Sequence, residues 1–454
     1  MSTLLVQHAT LLVTMDSQRH KITDGGLFVR DNVIEAVGPT NELPREAERI
    51  LDGSGHLVMP GLVNTHHHLY QTLTRALPAA ENVELFDWLV YLYPIWAQMT
   101  GEAVYNSALV GLSELLLSGC TTVSDHLYLV PNDACHDDEI RAARELGVRF
   151  HPCRGSMSLG RSQGGLPPDS VVQTEDEIMT DCERLVHAYH DSARYSMLRI
   201  ALAPCSPFSV TGESMKRTAV WARAHGLMMH THVAETRDEE QFTTEKFGCR
   251  PVEYMRRLGW VGPDVWYAHA IWLNEDEIRL MAETGTGVAH CPSSNMRLGS
   301  GIAPVREMLD AGVKVGLAVD GSASNDSSHM LAEARMALLL QRVTKGAKAL
   351  TVEEALGMGT LGGAKVLGRD DIGYLAPGMA ADFIGIDLER IEYAGAACHD
   401  PMGTVVMCTP PTVDFSVING RVVVEDGQVP GLDRGRLIAR QNELAIQMVR
   451  GAEV

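Results

Sequence analysis

The sequence predicts an α/β protein: a (β/α)8 TIM-like barrel with a small β-sandwich domain assembled from the two ends of the chain. Three observations carry this reading. From about Pro60, an apolar strand followed by a helix-like stretch recurs eight times over roughly 300 residues, as a closed parallel barrel requires. The first 58 residues hold short apolar runs without helical periodicity. After about residue 372, strands return without long helices between them. The division expected is therefore a composite β domain, 1–58 with 372–454, around a catalytic barrel at 59–371.

Taken in order, Leu4-Leu5-Val6, Leu11-Leu12-Val13, Leu27-Phe28-Val29 and Val33-Ile34-Glu35-Ala36-Val37 read as short strands. Stretches such as Asp24-Gly25-Gly26 separate them. Barrel strands are expected at 60–67, 120–126, 148–154, 198–204, 227–233, 264–270, 286–290 and 313–319. The segment 102–118 is apolar at helical spacing and ends at Gly119, a natural C-cap. Segments 213–225, 274–284 and 329–343 behave alike. A doubly wound open sheet would call for a glycine-rich phosphate loop after its first strand, and none is present. Ala381–Ile386, Phe415–Gly420 and Arg421–Val424 complete the end domain, and an amphipathic helix follows at about 433–449.

Composition narrows the function. The chain has 454 residues, 45% hydrophobic and 21% charged, and a formal net charge of −20. That acidic balance repels a phosphate backbone, so nucleic acid is not an expected partner. A small, nearly neutral molecule is. The nine cysteines form no CxxC pair, which suits reduced thiols in a cytoplasmic protein. The start Met1-Ser2-Thr3-Leu4-Leu5-Val6-Gln7-His8 lacks the pattern of a signal peptide. No apolar run approaches the roughly 18 residues of a membrane span.

The chemistry lies at the predicted strand ends. Pro60-Gly61-Leu62-Val63-Asn64-Thr65-His66-His67-His68 closes the first strand. Side chains two apart share a face, so His66 and His68 point inward together while His67 points away. Two neutral imidazoles at this spacing make half of a zinc site. His230-Thr231-His232-Val233-Ala234-Glu235 ends the fifth strand, with a third imidazole from His230 or His232 and a carboxylate within reach of a metal-bound water. His269 ends the sixth strand. His290-Cys291-Pro292-Ser293-Ser294-Asn295 follows the seventh, and Val319-Asp320-Gly321-Ser322-Ala323-Ser324-Asn325 ends the eighth. Metal-type and acid–base groups gathered at one end of a barrel point to an active site.

This pattern resembles the amidohydrolase superfamily: HxH after strand one, HxxE after strand five, His after strand six and Asp after strand eight. The MPGLVNTHHH and AVDGSASN stretches resemble its nucleobase and triazine deaminase branch. The resemblance implies zinc ligands His66, His68, His232 and Asp320, with HxxE selecting His232 over His230. Dinuclear relatives carry a bridging Lys after strand four. Here Ala203-Pro204-Cys205-Ser206-Pro207 has none, so one zinc per subunit is implied.

More narrowly, His68-Leu69-Tyr70-Gln71-Thr72-Leu73-Thr74-Arg75 and Glu84-Leu85-Phe86-Asp87-Trp88-Leu89 resemble 8-oxoguanine deaminases. Hydroxytriazine and isoxanthopterin deaminases are near relatives. The expectation is hydrolytic deamination of an aromatic N-heterocycle, 8-oxoguanine to urate and ammonia. Catalytic roles fall to Glu235, His269 and Asp320, and substrate contacts to Gln71, Trp88 and Cys205, with Tyr70 a further candidate. A triazine amidohydrolase, a guanine or isoxanthopterin deaminase and a non-enzymatic barrel relative are the alternatives. The resemblance also implies a homo-oligomer, a dimer first of all.

Overall fold

A computed structural model, which describes residues 2–452, contains two sheets. The first is built by β1 (Thr3–Val13), β2 (Lys21–Arg30), β3 (Val33–Pro39), β4 (Arg49–Asp52) and β5 (His56–Pro60). The second is the barrel: β6 (Leu62–Asn64), β7 (Cys120–Leu127), β8 (Arg149–Ser156), β9 (Ala201–Pro204), β10 (Met229–Val233), β11 (Val265–His269), β12 (Gly287–His290) and β13 (Lys314–Leu317). The chain then returns to the first sheet with β14 (Phe383–Asp387), β15 (Phe415–Ile418) and β16 (Arg421–Val424).

The end sheet runs β16-β15-β14-β5-β1-β2-β3, with β4 added beside β1. Val6, Leu27 and Ile34 from one wing share a core with Phe383, Phe415 and Val417 from the other, so the sheet folds over its own apolar face. Two expectations change here. Leu4–Val6 and Leu11–Val13 belong to one strand, interrupted by a bulge where His8 turns to φ +60°. Asp24-Gly25-Gly26 lies inside β2 rather than between strands. A Cβ on Gly26 would sit 2.3 Å from the Val6 carbonyl oxygen, so these glycines allow close strand approach instead of making a turn.

The eight barrel strands are parallel and follow chain order. Their outward residues Val265, Tyr267, Val288 and Leu317 join helix residues Leu112, Met215, Met281 and Leu331 in the main core. Inward positions are mostly small, with Ala203, Ala289 and Ala318 clustered around Trp266. β6 is shorter than expected because the chain leaves the ladder after Asn64. The line of hydrogen bonds continues to the last strand: Thr65 N–H donates to the Leu317 carbonyl (3.0 Å) and Asp320 N–H to that of His66 (3.2 Å). A single residue, Gly61, links the two sheets. A Cβ there would lie 2.1 Å from the Thr121 side chain, so no larger residue fits unless the barrel entry shifts.

The expected helices form close to their predicted bounds, at Gly101–Leu117, Gly212–Ala224, Glu275–Thr284 and Met330–Lys345. Asn274 and Glu277 make a reciprocal capping box at the third of them. Two further helices frame the barrel mouth. Leu85–Trp96 lies across it, and Arg434–Gly451 packs behind with Leu444 and Met448 in the same apolar cluster as Trp88 and Trp96. Among the described residues no helix is long and apolar enough to cross a membrane.

At the opposite end a buried ion pair joins the sheets. Arg149 at the start of β8 donates to both Asp382 carboxylate oxygens (2.8 and 2.9 Å), and its remaining N–H groups reach the carbonyls of Tyr195 and Ser196. Asn419 N–H donates to the same carboxylate at 2.7 Å. Removing one partner leaves a buried charge uncompensated, so Asp382→Ala is expected to cost ~3–5 kcal/mol. Denaturant unfolding measures it, and a loss under about 1 kcal/mol would contradict a structural role for the pair.

Candidate metal centre and active site

His66 and His68 both face the barrel axis, with ring centroids 4.6 Å apart. His67 turns outward, its Nε2 at 3.0 Å from the Ser328 hydroxyl. The alternation is that of extended backbone leaving a strand.

Hydrogen bonds fix which nitrogen of each ring is bare. His68 Nδ1–H donates to the His126 carbonyl (2.6 Å) and His232 Nδ1–H to the Cys205 carbonyl (2.7 Å). A carbonyl only accepts, so in both neutral rings Nε2 carries the lone pair. His230 Nδ1–H donates to the Trp266 carbonyl (3.0 Å), so its Nε2 accepts from His66 Nδ1 at 2.7 Å. That leaves His66 Nε2 bare as well, buried and with no hydrogen-bond partner among the described residues. His230 thus spends both nitrogens orienting His66, while His232 turns Nε2 to the same space as His66 and His68. Both strand-five imidazoles give Nδ1–H to a carbonyl, and they differ in that His230 Nε2 is taken up by His66 Nδ1.

The bare atoms are spaced for a cation. His68 Nε2 and His232 Nε2 lie 3.2 Å apart, and Asp320 Oδ1 lies 3.2 Å from His66 Nε2 and 3.5 Å from His68 Nε2. Ligands about 2.0–2.1 Å from a tetrahedral zinc sit roughly 3.3 Å from each other. Lone pairs this close repel unless a positive charge lies between them. Burial keeps the rings neutral: it drives His66 well below its usual value and brings His232 down to about 3. His126 joins the cluster, its ring stacked on His232 with centroids 5.0 Å apart.

Glu235 and His269 face the same space. His269 Nδ1–H donates to Asn295 Oδ1 (2.9 Å), which aims its Nε2 at Glu235 Oε2 (3.6 Å) and Asp320 Oδ2 (3.9 Å). Both gaps are longer than a direct hydrogen bond. Asp320 Oδ2 accepts from the Ser294 and Ser324 hydroxyls at 2.6 and 3.0 Å, leaving Oδ1 for the imidazole cluster. Burial pushes Glu235 up to about 7. For His269 burial opposes the charge, and the facing carboxylates of Glu235 and Asp320 more than offset it. The backbone is strained where these groups emerge: Ala234, His269, Ala270 and Asp320 all have φ between +48° and +69°. Each such left-handed residue costs on the order of 1 kcal/mol, and they occur together at three strand ends.

Above this cluster a cavity is lined by Gln71, Trp88, Tyr128, Cys205, Phe208 and Leu298, among others. Gln71 Oε1 accepts from Ala323 N–H (3.3 Å), so its NH2 group is the one left for a ligand, where the sequence offered both donor and acceptor. Trp88 Nε1–H is buried and unpartnered among the described residues. Burial lifts the Cys205 thiol to about 12, so it stays protonated near neutral pH. Tyr70 lies outside the cavity lining and packs edge-on against Trp96.

All nine site residues named from sequence therefore gather at one end of the barrel. The sequence pattern assigns nothing to Tyr128, His126 or Glu239, and Ser324 enters it only within the motif after strand eight. Tyr128 was accessible by the rule used for the others, since it directly follows the end of β7. Ser294 and Asn295 were quoted only as part of a motif.

Residues 57–423 match the amidohydrolase family. The chain is 48% identical to the 8-oxoguanine deaminase of Pseudomonas aeruginosa, covering 94% of this chain and 95% of that protein. It is 38% identical to the hydroxydechloroatrazine ethylaminohydrolase of Pseudomonas sp. strain ADP, covering 96% and 94%. The crystal structure of the zinc complex of atrazine chlorohydrolase from Arthrobacter aurescens superposes with a TM-score of 0.93 at 34% identity, covering 97% and 100%.

A buried carboxyl raised from 4.5 to about 7 binds its proton more tightly in the folded state than in the unfolded one. Its contribution to stability is complete below about pH 4.5 and is lost as pH rises through 7. In metal-free protein, Glu235→Gln should therefore gain about 3 kcal/mol over wild type between pH 4 and pH 8. Parallel denaturant titrations test this, and a stability difference independent of pH would refute it.

Proposed function

The chain belongs to the amidohydrolase family, and from that premise we propose a zinc-dependent deaminase that hydrolyses 8-oxoguanine to urate and ammonia. The observation that carries the reading is the set of bare nitrogens on His66, His68 and His232, spaced with Asp320 Oδ1 as tetrahedral ligands would be. One zinc per subunit suits these four residues. Bound there, the metal supplies Lewis acidity that brings the ionisation of water close to neutral pH.

The residues divide the remaining work. Hydrolysis adds OH to the ring carbon that bears the amino group and moves two protons onto nitrogen. Glu235, raised to about 7 by burial, delivers one to the adjacent ring nitrogen and regains a proton from the added hydroxyl as that oxygen becomes the ring carbonyl. Asp320 takes the second from water and passes it to the departing ammonia. The Nε2 of His269 orients the attacking oxygen and stabilises the charge that develops on it. Ser294 and Ser324 hold Asp320 in place for this transfer.

The substrate assignment rests on similarity to the Pseudomonas aeruginosa enzyme and on the cavity chemistry. Trp88 supplies a flat wall for a planar ring. The Gln71 NH2 and the Cys205 thiol offer donors to a carbonyl-rich edge. Guanine has C8–H in place of the C8 carbonyl, so a donor facing that oxygen is left unpaired and guanine is disfavoured.

Two experiments test the proposal. In a screen of zinc-loaded enzyme for ammonia release from purines, pterins and hydroxytriazines, 8-oxoguanine should give the highest kcat/KM. Faster turnover of guanine, isoxanthopterin or a triazine would overturn the substrate assignment and leave the deaminase assignment standing. Glu235→Gln should lose about 10²–10⁴ in kcat while keeping its zinc, and Gln71→Ala should lose about tenfold in kcat/KM. Near-normal turnover by zinc-loaded Glu235→Gln would remove Glu235 from the chemistry.

A further inference from the structure

Glu235 is the proton carrier in the proposed reaction, yet among the described residues no protein donor hydrogen-bonds its carboxyl group. The nearest, His269 Nε2, is 3.6 Å away. The aim of the side chain is therefore set by its backbone, and that backbone is unusual. Ala234 is left-handed at φ +57°. Its carbonyl accepts from Ile271 and Trp272 N–H, in the loop after β11. The N–H groups of Ala234 and Glu235 have left the strand ladder and need another acceptor.

Glu239 provides it. This residue lies in the first turn of the helix Arg237–Phe247, whose N-cap Thr236 accepts from Glu239 N–H. Its Oε1 accepts from Ala234 N–H at 2.8 Å and its Oε2 from Glu235 N–H at 3.0 Å. The residue is 1% exposed and does not line the cavity. Burying a carboxylate costs several kcal/mol unless charge or hydrogen bonds offset it; here two backbone donors offset part of the cost, and burial still raises the carboxyl to about 7. Two parallel bonds to adjacent N–H groups define a plane as well as a position.

We propose that Glu239 is the positioning residue for Glu235: its carboxylate grips the Ala234–Glu235 turn as a fork and thereby aims the Glu235 carboxyl group at the space it shares with His269 and Asp320. This rests on the proton-carrying role of Glu235. Glutamine has the same volume but only one acceptor oxygen, so its NH2 would face a backbone N–H, donor against donor. The turn shifts, and Glu235 with it. Aspartate keeps the charge but falls one methylene short of both N–H groups.

Displacement of a reacting group by about 1 Å costs on the order of 10²-fold in rate. Glu239→Gln should therefore lower kcat on 8-oxoguanine by about 10- to 100-fold, with KM within about threefold of wild type and zinc content unchanged. Glu239→Asp should show the same split, and it serves in place of Glu239→Gln should that protein fail to fold. The decisive measurement is a double-mutant cycle read by single-turnover kinetics. If Glu239 acts through Glu235, adding Glu239→Gln to Glu235→Gln costs little more, whereas an independent structural role makes the losses multiply. Near-normal kcat in both Glu239 variants, or multiplicative losses in the cycle, would overturn the proposal. Near-normal turnover in Glu235→Gln alone would instead overturn the role of Glu235 on which it rests.

Discussion

Closure of the barrel between its first and last strands is the constraint on which the site depends. His66 and His68 leave β6, and Asp320 follows β13 more than 250 residues later in the chain. The hydrogen bonds from Thr65 N–H to the Leu317 carbonyl and from Asp320 N–H to the His66 carbonyl set the two ends side by side in register. The Asn64 side chain adds a third link, accepting from Val319 N–H at 3.0 Å. A slip of one residue would turn the alternating side chains of one strand to the opposite face and send His66 and His68 into the helix layer. The closing bonds and the metal site are one piece of geometry.

The same backbone then selects the protonation state of the site. The carbonyls of His126 and Cys205 at strand ends, and of Trp266 within β11, each accept a hydrogen bond from an imidazole Nδ1–H, which leaves Nε2 of each ring without a proton. Such outer partners orient metal-ligating histidines and raise their basicity. The two carboxylates are set apart by their surroundings. Asp320 accepts from two serine hydroxyls and faces three imidazoles, which favours its anion despite burial. Glu235 has burial without compensating donors and retains its proton to about pH 7. Opposite environments for two neighbouring carboxyl groups allow one to accept a proton while the other donates.

The barrel and the gathering of these side chains at its mouth were legible in the sequence because both follow short-range rules. Period-two alternation put His66 and His68 on one face, and the strand-end rule located Glu235, His269 and Asp320. What depends on contacts between distant segments was not legible. His230 and His232 are told apart by the contact of His66 Nδ1 with His230 Nε2, and no spacing within strand five encodes that. Asp24-Gly25-Gly26 has turn composition, yet it is strand, because the crowding that demands glycine comes from Val6 and Leu12 across the sheet. Glu239 reads as an ordinary first-turn acid, favoured there by the helix dipole. Only the left-handed turn at Ala234 gives its carboxylate a second use.

Reaction class and substrate are also carried by different parts of the fold. The metal-type ligands and the acid–base residues sit on strands or within a few residues of strand ends, held by main-chain hydrogen bonds. Gln71 belongs to the turn after β6, Trp88 to the helix across the mouth, and Cys205 to the loop after β9. The relatives reflect that division: at 38% identity the match is to an ethylaminohydrolase of a triazine, and at 48% to a purine deaminase. In this fold the strand-end side chains are placed by barrel closure, while Gln71, Trp88 and Cys205 are placed by the segments above it.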